Sequence, residues 1–121
     1  MNPNQLLFIG GVLIGGILLI VTGFLFKKNP PKKINPLYGY RSKSSMKNQT
    51  RWDFAQCKSA KELIRSGIFL CATTVFGFII PENKIYTLYI IGVIAILIIL
   101  SAIFPIIQTE RAIKNKFDKN E

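Results

Sequence analysis

The chain has 121 residues, half of them hydrophobic and only 18% charged, with a net charge of +10, which leaves room for one domain on length alone. The charges are segregated: residues 6–26, 66–81 and 85–109 carry none. A soluble domain of this size needs charge along every helix or strand to keep one face wet, so a water-soluble globule is excluded.

Histidine is absent, which removes the commonest general base and the commonest zinc ligand together. Cys57 and Cys71 have no metal-binding spacing and read as two unpaired thiols in a reducing compartment. No cofactor is implied.

Residues 6–26 form an unbroken apolar run that, at about 1.5 Å per residue, covers roughly 31 Å, the thickness of a hydrocarbon core. Residues 1–5 hold no Lys or Arg, and Lys27-Lys28-Asn29-Pro30-Pro31 offers no small-x-small cleavage site, so the run reads as a retained transmembrane helix. Residues 63–80, closed by Pro81, are the second span, with Arg65 near its start where a long side chain can snorkel to the headgroups. Residues 85–107 are the third. The short turn 81–84 forces an antiparallel hairpin, and Pro105 is expected to kink or end the third helix. Small residues let helices approach closely in lipid: Gly10, Gly11, Gly15 and Gly16 in the first span, Gly67, Cys71 and Thr74 in the second, and Gly92, Ala95, Ile99 and Ala102 in the third. They fit packing within one chain and leave a homo-oligomer open.

The connection 27–65 holds 11 Lys/Arg, the turn 81–84 one, the tail after residue 109 four, and residues 1–5 none. The positive-inside bias then predicts an outside N-terminus, a cytoplasmic loop over 27–62 and a cytoplasmic tail over 108–121. Tyr86 and Tyr89 fall at the outer interface, and Tyr38, Tyr40 and Trp52 near the inner one.

The loop 27–62 is too long and too polar to be a mere connector. Lys27, Lys28, Lys32 and Lys33 around Pro30-Pro31 make a stiff basic exit suited to anionic headgroups. Asn35-Pro36-Leu37-Tyr38-Gly39-Tyr40-Arg41 follows as an extended stretch in which Gly39 permits a bend. A helix over 44–62 is expected, with Ser44 or Ser45 as its N-cap. On its wheel Lys47, Arg51, Phe54, Lys58, Lys61 and Arg65 form a stripe for lipid headgroups, while Ser45, Asn48, Trp52, Ala55 and Ser59 share a face suited to protein contact. The fold class is therefore all-α integral membrane: three transmembrane helices, with a cytoplasmic amphipathic helix under the bundle between the first and second.

Asn35, Tyr38, Gly39, Tyr40, Arg41 and Ser42, followed by Ser45-Met46, Asn48, Trp52 and Ala55, resemble the signature of the SdpI family, membrane proteins named for immunity to a sporulation-delaying toxin. Ser42 stands where the family pattern has Thr, which keeps the hydroxyl. The resemblance covers nearly the whole chain and implies a short, single-domain member over residues 1–121. As partners it implies a membrane-active peptide toxin and a cytosolic transcriptional repressor. The motif residues are expected to fold back against the inner ends of the helices and shape the partner surface.

Other function classes find less support in the residues. Asp53 and Glu62 are too far apart to act as a carboxylate pair, and an exposed Lys beside Ser44 or Ser45 keeps a high pKa and makes a poor base, so no enzyme is expected. The spans hold no buried charge for coupled transport. A cytoplasmic loop at an anionic membrane accounts for the basic balance without direct nucleic-acid binding. A small membrane scaffold or accessory subunit, or a membrane enzyme or pore, is the alternative to toxin immunity.

Overall fold

The computed structural model describes residues 1–120, Asn120 by its backbone alone; Glu121, the last residue of the expected tail, lies outside the described residues. Three long helices run α1 (Pro3–Lys28), α2 (Gln49–Ala72) and α3 (Thr87–Phe117). All three are long and apolar enough to cross a membrane, the second together with the 3₁₀ segment Thr73–Ile79 that continues it. No strand occurs among the described residues.

α1 starts three residues earlier than the apolar run because its N-terminus is capped. Asn2 accepts from the Gln5 amide at 2.9 Å, the Gln5 side chain accepts from the Asn2 amide at 3.1 Å, and Pro3 occupies the first turn, where no N–H is needed. The same residues close this end of the bundle. Asn2 donates to Ile80 O, Asn4 to Pro81 O and Asn83 O, and Gln5 to Phe78 O, all between 2.8 and 3.2 Å. These carbonyls lie where α2 has loosened into 3₁₀ geometry and Pro81 has stopped it, so the amide side chains replace partners the backbone has lost.

α1 and α2 pack backbone to backbone. A Cβ on Gly16 would sit 2.9 Å from Gly67 O and collide with Cys71 Sγ, and one on Gly67 would sit 2.7 Å from Gly16 O. In lipid, where apolar side chains gain nothing by leaving an equally apolar solvent, such approach supplies the van der Waals contact that holds helices together. Gly11 and Gly15 instead face Ile94 and Ile98 of α3. Phe8, Val12, Leu70 and Ile90 join the three helices in one buried cluster. The small stripe of α3 is open among the described residues: Gly92 has no atom within 4 Å of an added Cβ, Ala95 and Ala102 are exposed, and Ile99 is 56% exposed.

Three boundaries differ from the sequence expectation. The helix of the polar loop and the second span form one unbroken α-helix from Gln49 to Ala72, capped by Asn48, whose side chain accepts from Arg51 N at 2.9 Å; Ser44 and Ser45 lie in the preceding turn. The hydropathy step near residue 63 thus changes the medium the helix runs through and leaves its hydrogen bonding intact. α2 then gives way to 3₁₀ geometry at Thr73-Thr74-Val75, a β-branched run that crowds an α-helical turn. Finally, Pro105 neither ends α3 nor frees a tail, since the helix runs on to Phe117.

The continuation past Pro105 has a local cause. Proline has no N–H, so the carbonyl of Ser101 loses its helical partner. The Ser66 hydroxyl of α2 donates to that carbonyl at 2.5 Å, and the buried Thr109 hydroxyl donates to Pro105 O at 2.7 Å. A freed backbone acceptor at membrane depth is thereby satisfied by a neighbouring helix. Ser66→Ala is expected to destabilise the protein in micelles by about 0.5–2 kcal/mol. That cost should vanish in a Pro105→Ala background, where the backbone donor is restored. A double-mutant cycle on unfolding free energy checks this, and equal losses in both backgrounds would contradict it.

Candidate functional site

At the end of the bundle opposite the α2–α3 hairpin, residues 29–48 fold back over the helices. Their course is set by side chains bonding to backbone. Asn35 Oδ1 accepts from Leu37 N at 3.0 Å and Tyr38 N at 2.8 Å, an Asx turn that starts the bend. Tyr38 stacks on Phe26 at the end of α1, ring centroids 5.8 Å apart. Gly39 has φ +100°, and an added Cβ there would lie 2.7 Å from both Gln56 Oε1 and Pro31 Cγ. Both requirements select glycine.

Tyr40 is held on three sides. Its N–H donates to Gln56 Oε1 at 2.7 Å, and its carbonyl accepts from Gln56 Nε2 at 2.7 Å, so one amide side chain satisfies both backbone groups as a neighbouring strand would. Its phenol donates to Glu110 Oε1 of α3 at 2.6 Å. Burial, then the hydrogen bond to Glu110 and the charge of that carboxylate, push the phenol well above the ordinary tyrosine range, so Tyr40 stays a neutral donor at any physiological pH. Ser42 and Ser45 bond reciprocally, each hydroxyl accepting from the other's amide at 3.1 and 2.8 Å, with Met46 N closing the turn on Ser42 O. The hydroxyl common to Ser and Thr is what position 42 requires.

Below this turn Trp52 is fully buried and donates from Nε1 to Pro31 O at 2.7 Å, and Ala55 is fully buried beside it. Gln49 donates to Lys32 O at 2.6 Å, a second tie between the basic exit and α2. Arg41 is exposed, and its hydrogen bond goes to the Pro36 carbonyl within its own loop.

The expected headgroup stripe divides. Lys47 and Lys61 are exposed. Lys58 and Arg65 flank the buried Glu62 at 3.0 and 3.3 Å. Arg51 leaves the stripe: it is 1% exposed, pairs with Asp118 Oδ1 at 2.6 Å and lies over the Phe117 ring, 5.3 Å from its centroid. Phe54 meets the same ring edge-on, 5.6 Å between centroids. The end of the segment read from sequence as a tail over 108–121 is therefore docked, through Phe117 and Asp118, on the first turns of α2.

Between the loop, α2 and α3 lies a cavity of about 410 Å³, lined by Phe26, Leu63, Ala102 and Ile106 on its apolar side and by Tyr40, Arg41, Gln56 and Glu110 on its polar side. Gly39 and Ser42 complete the roof, so four consecutive motif residues line it. Asn35, Asn48, Trp52 and Ala55 do not line it and act instead as the loop's supports. Sequence reasoning missed Gln56 and Glu110. Gln56 sits one turn after Trp52 beside the face already singled out; Glu110 is the first charge after a charge-free run of 25 residues, 85–109.

A family model described as the SdpI/YfhL protein family matches residues 32–109. The chain is 36% identical over 102 residues to "Uncharacterized protein YfhL" of Bacillus subtilis (strain 168), a match covering 84% of each chain. No solved structure matches the chain. The matched segment takes in the loop from residue 32, α2 and most of α3; of the residues lining the cavity it leaves out Phe26 of α1 and Glu110.

The account of the loop depends on the Trp52 indole N–H. Trp52→Phe keeps an apolar ring and removes that donor, leaving Pro31 O unpaired in a buried setting, at an expected cost of about 1–3 kcal/mol. Thermal or denaturant unfolding in micelles measures it, and a change within a few tenths of a kcal/mol would mean that the bond does not hold the loop.

Proposed function

This chain belongs to the SdpI/YfhL protein family, and on that premise we propose that it is a non-enzymatic membrane protein of the immunity type. It protects against a membrane-active peptide toxin by binding, and relays the toxin's presence to a cytosolic regulator. The observation that carries this reading is the ordered motif loop. Residues 35–46 have almost no regular secondary structure, yet side-chain bonds to Asn35, Gln56, Ser42, Ser45 and Glu110 hold them in one conformation. A loop fixed in this way presents a defined surface, with Leu37, Tyr38, Arg41, Lys43 and Lys47 exposed on it. Preorganisation is what a binding surface needs, because ordering it on contact would cost affinity.

In this reading the loop faces the cytoplasm and the hairpin faces outside. The distribution of Lys and Arg supports that orientation, with 11 in the connection, four in the tail and one in the turn. The exposed cations beside the bundle then meet anionic lipid headgroups.

The test is expression in a sensitive bacterial host challenged with the peptide encoded beside the gene, with a reporter active only in the cytoplasm fused to the C-terminus. Protection is expected, with an active reporter. Tyr40→Phe and Gln56→Ala should reduce protection at least tenfold at unchanged membrane abundance, while Ser44→Ala and Asp53→Asn leave it intact. Absence of protection, a silent reporter, or turnover of a lipid or peptide that Ser44→Ala or Asp53→Asn abolishes, would overturn the reading.

A further inference from the structure

The cavity under the motif loop carries an unbalanced pair of charges. Among the described residues no Lys or Arg nitrogen lies within 4 Å of the Glu110 carboxylate, whose hydrogen bond comes from a neutral phenol. The neighbouring acids differ: Asp118 is matched by Arg51, and Glu62 by Lys58 and Arg65. The Glu110 carboxylate is partly buried beside apolar walls and leaves room for a cationic partner. Arg41 also lines the cavity; its guanidinium donates to the Pro36 carbonyl and has no acidic partner among the described residues. One cavity is thus lined by a negative and a positive residue that form no ion pair with each other.

The other walls are apolar. Ala102 and Ile106 line the cavity and are exposed on the outer surface of α3, where the charge-free segment 85–109 ends. A ligand that answers all three features has an ammonium, an anionic group a few bonds away and an apolar chain. A cationic peptide side chain would answer Glu110 and leave Arg41 and the apolar exit without partners.

We propose that this cavity is a headgroup site for an aminophospholipid. The primary ammonium sits on Glu110, the phosphate lies towards Arg41, and the acyl chain leaves past Ala102 and Ile106 into the bilayer. A primary ammonium presents three N–H donors to the carboxylate, which a quaternary choline cannot do. Tyr40, kept neutral, donates to the same carboxylate and holds it in place. This site is independent of toxin binding.

The test is lipid retention by the full-length protein in native mass spectrometry, from micelles holding equal amounts of phosphatidylethanolamine, phosphatidylcholine and phosphatidylglycerol with identical acyl chains. Phosphatidylethanolamine should be retained about tenfold over the other two, the factor expected of a charge-assisted hydrogen bond. Glu110→Gln should abolish the preference. Should that variant fold poorly, Ala102→Trp fills the apolar exit without touching either charge and should lower retention of phosphatidylethanolamine equally. Equal retention of all three lipids by the unaltered protein, a preference that survives Glu110→Gln or Ala102→Trp, or Glu110-dependent capture of a lysine-rich peptide without any lipid preference, would each overturn the proposal.

Discussion

The approach of α1 and α2 at Gly16 and Gly67 is the constraint on which the rest of the structure depends. With each glycine's would-be Cβ under 3 Å from the other's carbonyl, these two helices cannot slide or separate without losing their closest contact. α3 must then pack on the pair. It meets Gly11 and Gly15 of α1 through Ile94 and Ile98, and beyond that point lies against α2 through Ser66, Arg51 and Phe54. The end of α1 is left apart from α3, and the loop leaving α1 covers the space between them. The cavity follows from the packing of the helices, and the motif is its lid.

Several polar side chains repair breaks in backbone hydrogen bonding. Ser66 serves the carbonyl that Pro105 orphans, Asn2, Asn4 and Gln5 serve the end of α2, and Gln56 serves both backbone groups of Tyr40. Within the hydrocarbon core no water can meet such groups, so the Ser101 carbonyl needs the Ser66 hydroxyl. The loop is ordered without regular secondary structure by its side-chain bonds to Gln56 and Glu110 and by the Ser42–Ser45 pair.

The three apolar helices were legible because hydrophobic runs of that length have one physical use. Helix ends were less so. Asn2 and Gln5 extend α1 beyond the apolar run, and α2 joins a polar half to an apolar half, because hydrogen bonding follows the backbone and hydropathy follows the medium. Pro105 reads as a stop unless the hydroxyl that compensates it, 39 positions earlier in the chain at Ser66, is known. The motif was visible as a set of residues, but its architecture was not. The positions of Gln56 and Glu110 stand out in the sequence but their partners do not, and Arg51 on a helical wheel cannot be told from a headgroup contact until Asp118 is brought against it.

The central claim is that the motif loop is an ordered lid anchored to α2 and α3. Amide hydrogen exchange of residues 39–46 in the bilayer-embedded protein tests it most directly, because this segment lies outside any helix and its amides are held by the Gln56 side chain of α2 and by the local Ser42–Ser45 turn. The account predicts that the Tyr40 amide, bonded to Gln56, and the Ser42 and Ser45 amides, bonded to each other's hydroxyls, exchange far more slowly than in an unstructured peptide. Exchange of all three at the rate of a free peptide, with the helices still protected, would contradict it.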